Sequence, residues 1–91
     1  MNFIFDYNKH QMITLKQINY ALSVQKNLHF KKAADECFVS PSTLSNAINE
    51  MEIQLGTQIF ERDNKKVIAT KSGEKILKKA REVKILSLIH I

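Results

Sequence analysis

Apolar positions recur at helical spacing in four stretches of the chain, and a stretch before the last one has strand-like composition. In the first, residues 14–26, Leu15, Ile18, Ala21 and Leu22 share one side with Val24 at its margin. Lys16, Gln17, Asn19 and Lys26 are then placed to face water, and Thr14 stands where an N-cap belongs. Asn27, Leu28 and His29 break the pattern. The second stretch, 30–38, is short. Its expected buried set is Phe30, Ala34, Cys37 and Phe38, and the small Ala33 and Ala34 let another helix approach. The third, 41–55, carries an apolar stripe of Leu44, Ile48, Met51 and Leu55. Ser40 followed by Pro41 is a start signal: the hydroxyl accepts from an orphan amide, and proline is already at a helical φ. Gly56 is a natural stop, because it enters the left-handed region without a Cβ clash.

Beyond Gly56 the composition changes. Residues 59–62 and 65–69 are two strand-like runs, and Asp63-Asn64 between them is turn chemistry, so a small hairpin is expected with Arg62, Lys65 and Lys66 at its tip. Thr70 is placed to cap a last helix beginning at Lys71, and Gly73 in its first turn permits close packing. Ile76, Leu77, Ala80 and Val83 form an apolar seam among lysines. Part of such a seam covers this chain's own core; its length suggests a partner helix as well.

The connection at 38–40 is very short. A short helix, a tight turn and a capped second helix make a helix-turn-helix, in which the second helix lies in the DNA major groove. At about 100° per residue, Ser42, Asn46 and Asn49 point away from the stripe, flanked by Thr43, Ser45 and Glu50. These small groups both donate and accept hydrogen bonds, as the edges of base pairs require. Alone, the same face also fits an ordinary solvated helix; its neighbours favour DNA. Lys31 and Lys32 sit near a helix start, where the dipole disfavours cations, and a phosphate would offset that. Solvation would do so too. The hairpin tip reads as a phosphate or minor-groove contact rather than a merely solvated loop.

Composition narrows the picture. Ninety-one residues fit one small domain, most economically all-helical. No apolar run reaches the length of a bilayer span, no signal peptide opens the chain, and a single cysteine fits a reducing cytoplasm. The formal net charge is +5, with basic residues concentrated beyond Phe60, which hints at an anionic partner. Cys37 lies on an apolar helical position with no base beside it in sequence, so a structural role is expected over a thiol enzyme. His29 reads as a loop or near-cap residue, since no second ligand stands at metal spacing. No cofactor, metal or catalytic group is expected.

Four segments follow: an extension at 1–11 that is loosely packed or not native, Met12 being the expected start; the DNA-binding domain at 12–70; a linker helix at 71–85; and a tail at 86–91. The tail is apolar and abrupt. Its six residues match read-through into a common sequencing adapter, so it is expected to be non-native.

From Leu15 to Glu82 the chain resembles the N-terminal domain of LysR-type transcriptional regulators. The matching pieces are Leu15-Lys16-Gln17-Ile18, Phe30-Lys31-Lys32-Ala33-Ala34, Val39 through Ser45, Leu55-Gly56, Phe60-Glu61-Arg62, and Thr70 with Gly73-Glu74. They keep the family's order and spacing over about three quarters of the chain. The resemblance implies a mainly α winged helix-turn-helix with a small β-hairpin wing and a C-terminal linker helix through which two chains pair. It also implies a ligand-sensing C-terminal domain, absent from these residues, that would hold any small-molecule effector. By position, Pro41, Ser42, Ser45 and Asn46 should face bases, with Lys31 or Lys32 and Arg62 near phosphates. Asn46 stands where the family usually has Arg, Asn49 where a basic or long polar residue is common, Cys37 and Ala69 where Leu is usual. The expected function is sequence-specific binding of double-stranded DNA as half of a cytoplasmic dimeric regulator. A winged-helix protein-interaction module, supported only by Ile53 near the outer face, and an inert fragment are the rivals.

Overall fold

The computed structural model describes residues 5–6, 11–63 and 66–89. In chain order it contains β1 (Phe5–Asp6), β2 (Gln11–Met12), α1 (Leu15–Asn27), α2 (Phe30–Cys37), α3 (Pro41–Leu55), β3 (Phe60–Arg62), β4 (Val67–Ala69) and α4 (Lys71–Ile89). This is the mainly helical winged helix-turn-helix expected, with an antiparallel hairpin between α3 and α4. In that hairpin Phe60 pairs with Ala69 and Arg62 with Val67. Ahead of α1, Phe5 and Met12 pair antiparallel, a register that the sequence pattern did not suggest. Most of the 1–11 extension lies outside the described residues.

Local chemistry sets the helix ends. Thr14 caps α1 through a reciprocal box: the Gln17 amide donates to Thr14 Oγ1 at 3.1 Å, and the Thr14 amide donates to Gln17 Oε1 at 2.9 Å. His29 is the N-cap of α2, its Nδ1 accepting from the Lys32 amide at 3.2 Å. Gly56 ends α3 at φ +72°. Leu28 and Phe38 end α1 and α2 in the same left-handed region, at φ +53° and +60°, without glycine's freedom.

The core gathers around α1, which contacts α2, α3, α4 and β4. Phe60, Leu44, Ile48, Met51, Ile59, Leu77 and Val24 are its largest fully buried side chains. Each contributes about 1.5–3 kcal/mol relative to exposure. The central position of α1 corrects its predicted face. Val24 is fully buried rather than marginal, Tyr20 and Ser23 are buried, Asn19 is half-buried, and Leu15 is 44% exposed. In α2, Ala33 and Ala34 are the buried pair, whereas Phe30 and Cys37 are only half-buried. Phe38, expected inside, is 93% exposed. The reason is backbone geometry: as a left-handed C-cap its amide turns back to Ala34 and Asp35, and its side chain leaves the helical face.

A polar network sets α1 against α2. Ser23 Oγ donates to Glu36 Oε1 at 2.6 Å, Lys26 Nζ lies 2.6 Å from Glu36 Oε2, and Asn27 Nδ2 donates to Glu36 Oε1 at 3.2 Å. Led by the Lys26 hydrogen bond, these contacts hold the Glu36 carboxyl at about 2, against 4.5 ordinarily.

At the other end, Thr70 caps α4. Its Oγ1 accepts from the Gly73 amide at 2.8 Å and donates to the Gln58 carbonyl at 2.6 Å. Gly73 lies so close to Ile59 that a Cβ would stand 2.0 Å from its carbonyl oxygen. The last helix is longer than the linker expected at 71–85 and continues to Ile89.

Candidate nucleic-acid interface

The turn joining α2 to α3 spans Phe38, Val39 and Ser40, and it is held from both sides. The Val39 amide donates to the Ala34 carbonyl at 3.0 Å, closing α2. Ser40 opens α3, its Oγ accepting from the Thr43 amide at 3.1 Å. Two fixed ends leave the turn little freedom, so the direction of α3 relative to α2 is set locally.

Once α3 buries Leu44, Ile48 and Met51, its period dictates what remains outside. Pro41, Ser42, Thr43, Asn46, Asn49 and Glu50 are exposed, and Ser45 is half-buried. All six residues expected to face bases therefore reach the surface at least in part. Their side chains are not equally available. Ser40 Oγ donates to Thr43 Oγ1 at 2.8 Å and lies 3.2 Å from Ser42 Oγ, so these hydroxyls share the cap. The Asn46 side-chain amide has no hydrogen-bond partner among the described residues, while its backbone belongs to α3.

The basic groups divide into two sets. Lys31 and Lys32 project from the first turn of α2, and Lys66 lies just before the returning strand; all three are exposed and make no ion pair among the described residues. Lys65 lies outside the described residues. Arg62, expected at the wing tip, turns back onto α3 instead. Its Nη1 donates to Asn49 Oδ1 at 3.0 Å, its Nη2 stands 3.6 Å from Glu52 Oε1, and its guanidinium lies 4.8 Å above the Phe30 ring.

Sequence reasoning missed Glu52. Its Oε2 accepts from the Ile59 and Phe60 amides at 2.8 and 3.2 Å, tying the root of the wing to α3. The available signal was an acidic residue placed between the apolar stripe and a face otherwise almost free of charge. Of the predicted dimer seam, Leu77 and Ala80 are buried, Ile76 is half-buried and Val83 is 37% exposed. Ile76, Ala80 and Val83 border an apolar groove of about 330 Å³ with Ile13, Ile18 and Leu55.

No described helix is long and apolar enough to cross a membrane, and no described cluster of His, Cys, Asp and Glu could hold a metal ion.

Solved structures share this fold. The chain is 36% identical over 78 residues to the hydrogen peroxide-inducible genes activator of Pectobacterium carotovorum, covering 81% of this chain and 26% of that one. Oxidised OxyR from Corynebacterium glutamicum superposes with a TM-score of 0.83 at 32% identity, over 88% of this chain and 26% of that one. BenM DBD, solved in complex with benA site 1 DNA, superposes with a TM-score of 0.74 at 31% identity, over 85% and 84% of the two chains. The chain thus spans about a quarter of the length of the full-length relatives it matches. Residues 15–74 match the family described as bacterial regulatory helix-turn-helix protein, lysR family. With the fold, the outward face of α3 and these likenesses in agreement, the chain belongs to the LysR family and contains its DNA-binding winged helix-turn-helix, a domain that binds DNA and is not an enzyme.

Proposed function

We propose that this domain is the sequence-reading head of a dimeric cytoplasmic transcription regulator. In this reading α3 enters the major groove, with Pro41, Ser42, Thr43, Ser45, Asn46 and Asn49 toward the bases. Lys31, Lys32, Lys65 and Lys66 lie against phosphates and supply affinity through counterion release. The observation that carries the reading is the outer face of α3: exposed, without a basic residue, and headed by hydroxyl and amide groups beyond a buried stripe. Two copies pair through α4, where Ile76, Ala80 and Val83 border an apolar groove whose occupant is the partner's helix. A small-molecule effector, in this reading, acts through a domain outside residues 1–91.

The test is Asn46→Ala. With both amide functions unengaged, Asn46 can pair with adenine N6 and N7, so its loss should relax preference at one position per half-site by about 1–3 kcal/mol. Equal losses on selected and random duplexes would show that Asn46 reads nothing. Lys31→Ala should weaken all sequences alike and reduce the salt slope by about one. A protein-interaction module is the rival, supported by Ile53, 75% exposed on α3; its binding would be nearly indifferent to salt.

A further inference from the structure

Asn46 and Asn49 are the same residue type on the same outer face, yet their surroundings differ. Asn46 is free to turn its amide either way. Asn49 is not, because Arg62 Nη1 donates to its Oδ1 at 3.0 Å. A guanidinium carries only donors, so an amide packed against it must turn its oxygen inward. The Asn49 Nδ2 has no hydrogen-bond partner among the described residues and remains the free donor of the amide. Arg62 itself has little latitude. Glu52 Oε1 draws the guanidinium from one side at 3.6 Å, and the Phe30 ring lies beneath it at 4.8 Å. Glu52 is in turn anchored by the Ile59 and Phe60 amides. The chain of contacts therefore runs from the root of the wing, through Glu52 and Arg62, to the orientation of one amide on α3.

We propose that Arg62 is a positioning residue that fixes Asn49 as a hydrogen-bond donor toward DNA, so that Asn49 contacts an acceptor and does not read adenine. Adenine recognition requires both halves of the amide, the oxygen accepting from N6 and the nitrogen donating to N7. A presented donor alone matches guanine O6 or N7, thymine O4, or a phosphate oxygen. This inference rests on α3 lying in the major groove. It also assigns Arg62 a different task from Lys31, Lys32 and Lys66: its charge is directed at Glu52 and the Phe30 ring, and its effect on DNA passes through Asn49.

The experiment is selection from random-sequence duplexes at two salt concentrations, using the 91-residue chain and its Asn46→Ala, Asn49→Ala, Asn49→Asp, Arg62→Met and Arg62→Lys variants. Circular dichroism of each variant checks that it is folded. Asn49→Asp keeps an oxygen for Arg62 and replaces the free NH2 with a second oxygen; affinity should fall about tenfold or more, the scale of one good base contact. If the acceptor is a base, the position whose preference disappears in Asn49→Ala carries guanine or thymine in the wild type. Arg62→Met then admits adenine there, Arg62→Lys restores the original preference, and the Asn46-dependent position is unchanged throughout. If the acceptor is a phosphate, Asn49→Ala alters no base preference, and one methylphosphonate linkage that weakens the wild type no longer weakens this variant. Adenine at the Asn49-dependent position of the wild type, or wild-type affinity in Asn49→Asp, overturns the proposal. So does a uniform loss in Arg62→Met with the Asn49-dependent base preference intact. Failure of this proposal alone leaves the Asn46-dependent preference standing; a wild type with no sequence preference removes the groove reading as well.

Discussion

Replacing Gly73 with alanine sets two opposing terms against each other, and the structure decides between them. Alanine is the better helix former, by about 1 kcal/mol. Its methyl group, however, would lie 2.0 Å from the Ile59 carbonyl oxygen, 2.8 Å from the carbonyl carbon and 2.9 Å from Ile59 Cα. Carbon and oxygen ordinarily approach to about 3.3 Å, so α4 or the Ile59 segment must move by more than 1 Å. Neither can yield as a flexible side chain would. The Ile59 carbonyl also accepts from the Thr70 amide at 2.9 Å, and Thr70 Oγ1 accepts from the amide of Gly73 itself. Moving α4 away from Ile59 therefore strains its own cap. Overpacking of about 1–3 kcal/mol and a weakened cap of about 1 kcal/mol outweigh the propensity gain, leaving a net loss of roughly 1–3 kcal/mol. For a domain of this size the midpoint of thermal unfolding should fall by roughly 5–20 °C. Far-ultraviolet circular dichroism during a melt measures it, with the exposed neighbour Ser72→Ala as a control that should rise slightly. A Gly73→Ala midpoint at or above the wild-type value would refute the close approach of α4 to Ile59.

Two further perturbations probe different parts of the fold. Phe38→Asn removes a side chain that is 93% exposed at φ +60°, a region asparagine tolerates better, so stability should rise by about 1 kcal/mol or somewhat less, read as a higher melting midpoint; a lower midpoint would mean the ring packs on something in the folded state. Glu36 titrates near 2 when folded and near 4.5 ordinarily, so its contribution is complete above about 4.5 and is lost as pH falls toward 2. Melting midpoints of the wild type and Glu36→Gln should therefore differ by a constant amount above pH 4.5 and converge below it, and parallel curves throughout would dissociate Glu36 from the α1–α2 contact.

How much could be read in advance follows the range of the interactions involved. The caps at Thr14, Ser40, Gly56 and Thr70 depend on residues within three or four positions, and each was legible in the sequence. So was the stripe of α3, because a helix lying on one core has one buried side and its period reveals the other. The face of α1 was less legible. A helix covered by α2, α3, α4 and β4 buries a wide arc, and Val24, Tyr20 and Ser23 enter it through tertiary packing. Phe38 misled for the converse reason: apolar character argued for burial, whereas its role as a left-handed cap turned it outward. The candidate interface divides in the same way. Which side chains lie on the outer face of α3 follows from local spacing. What each can offer a base does not, since the orientation of Asn49 depends on Arg62, thirteen positions later, and Arg62 depends on Glu52 and Phe30. A single helix can thus display two asparagines that differ in chemistry because the wing folds back onto only one of them. Base preferences transferred between such domains by comparing α3 alone should therefore fail first at positions braced by the wing.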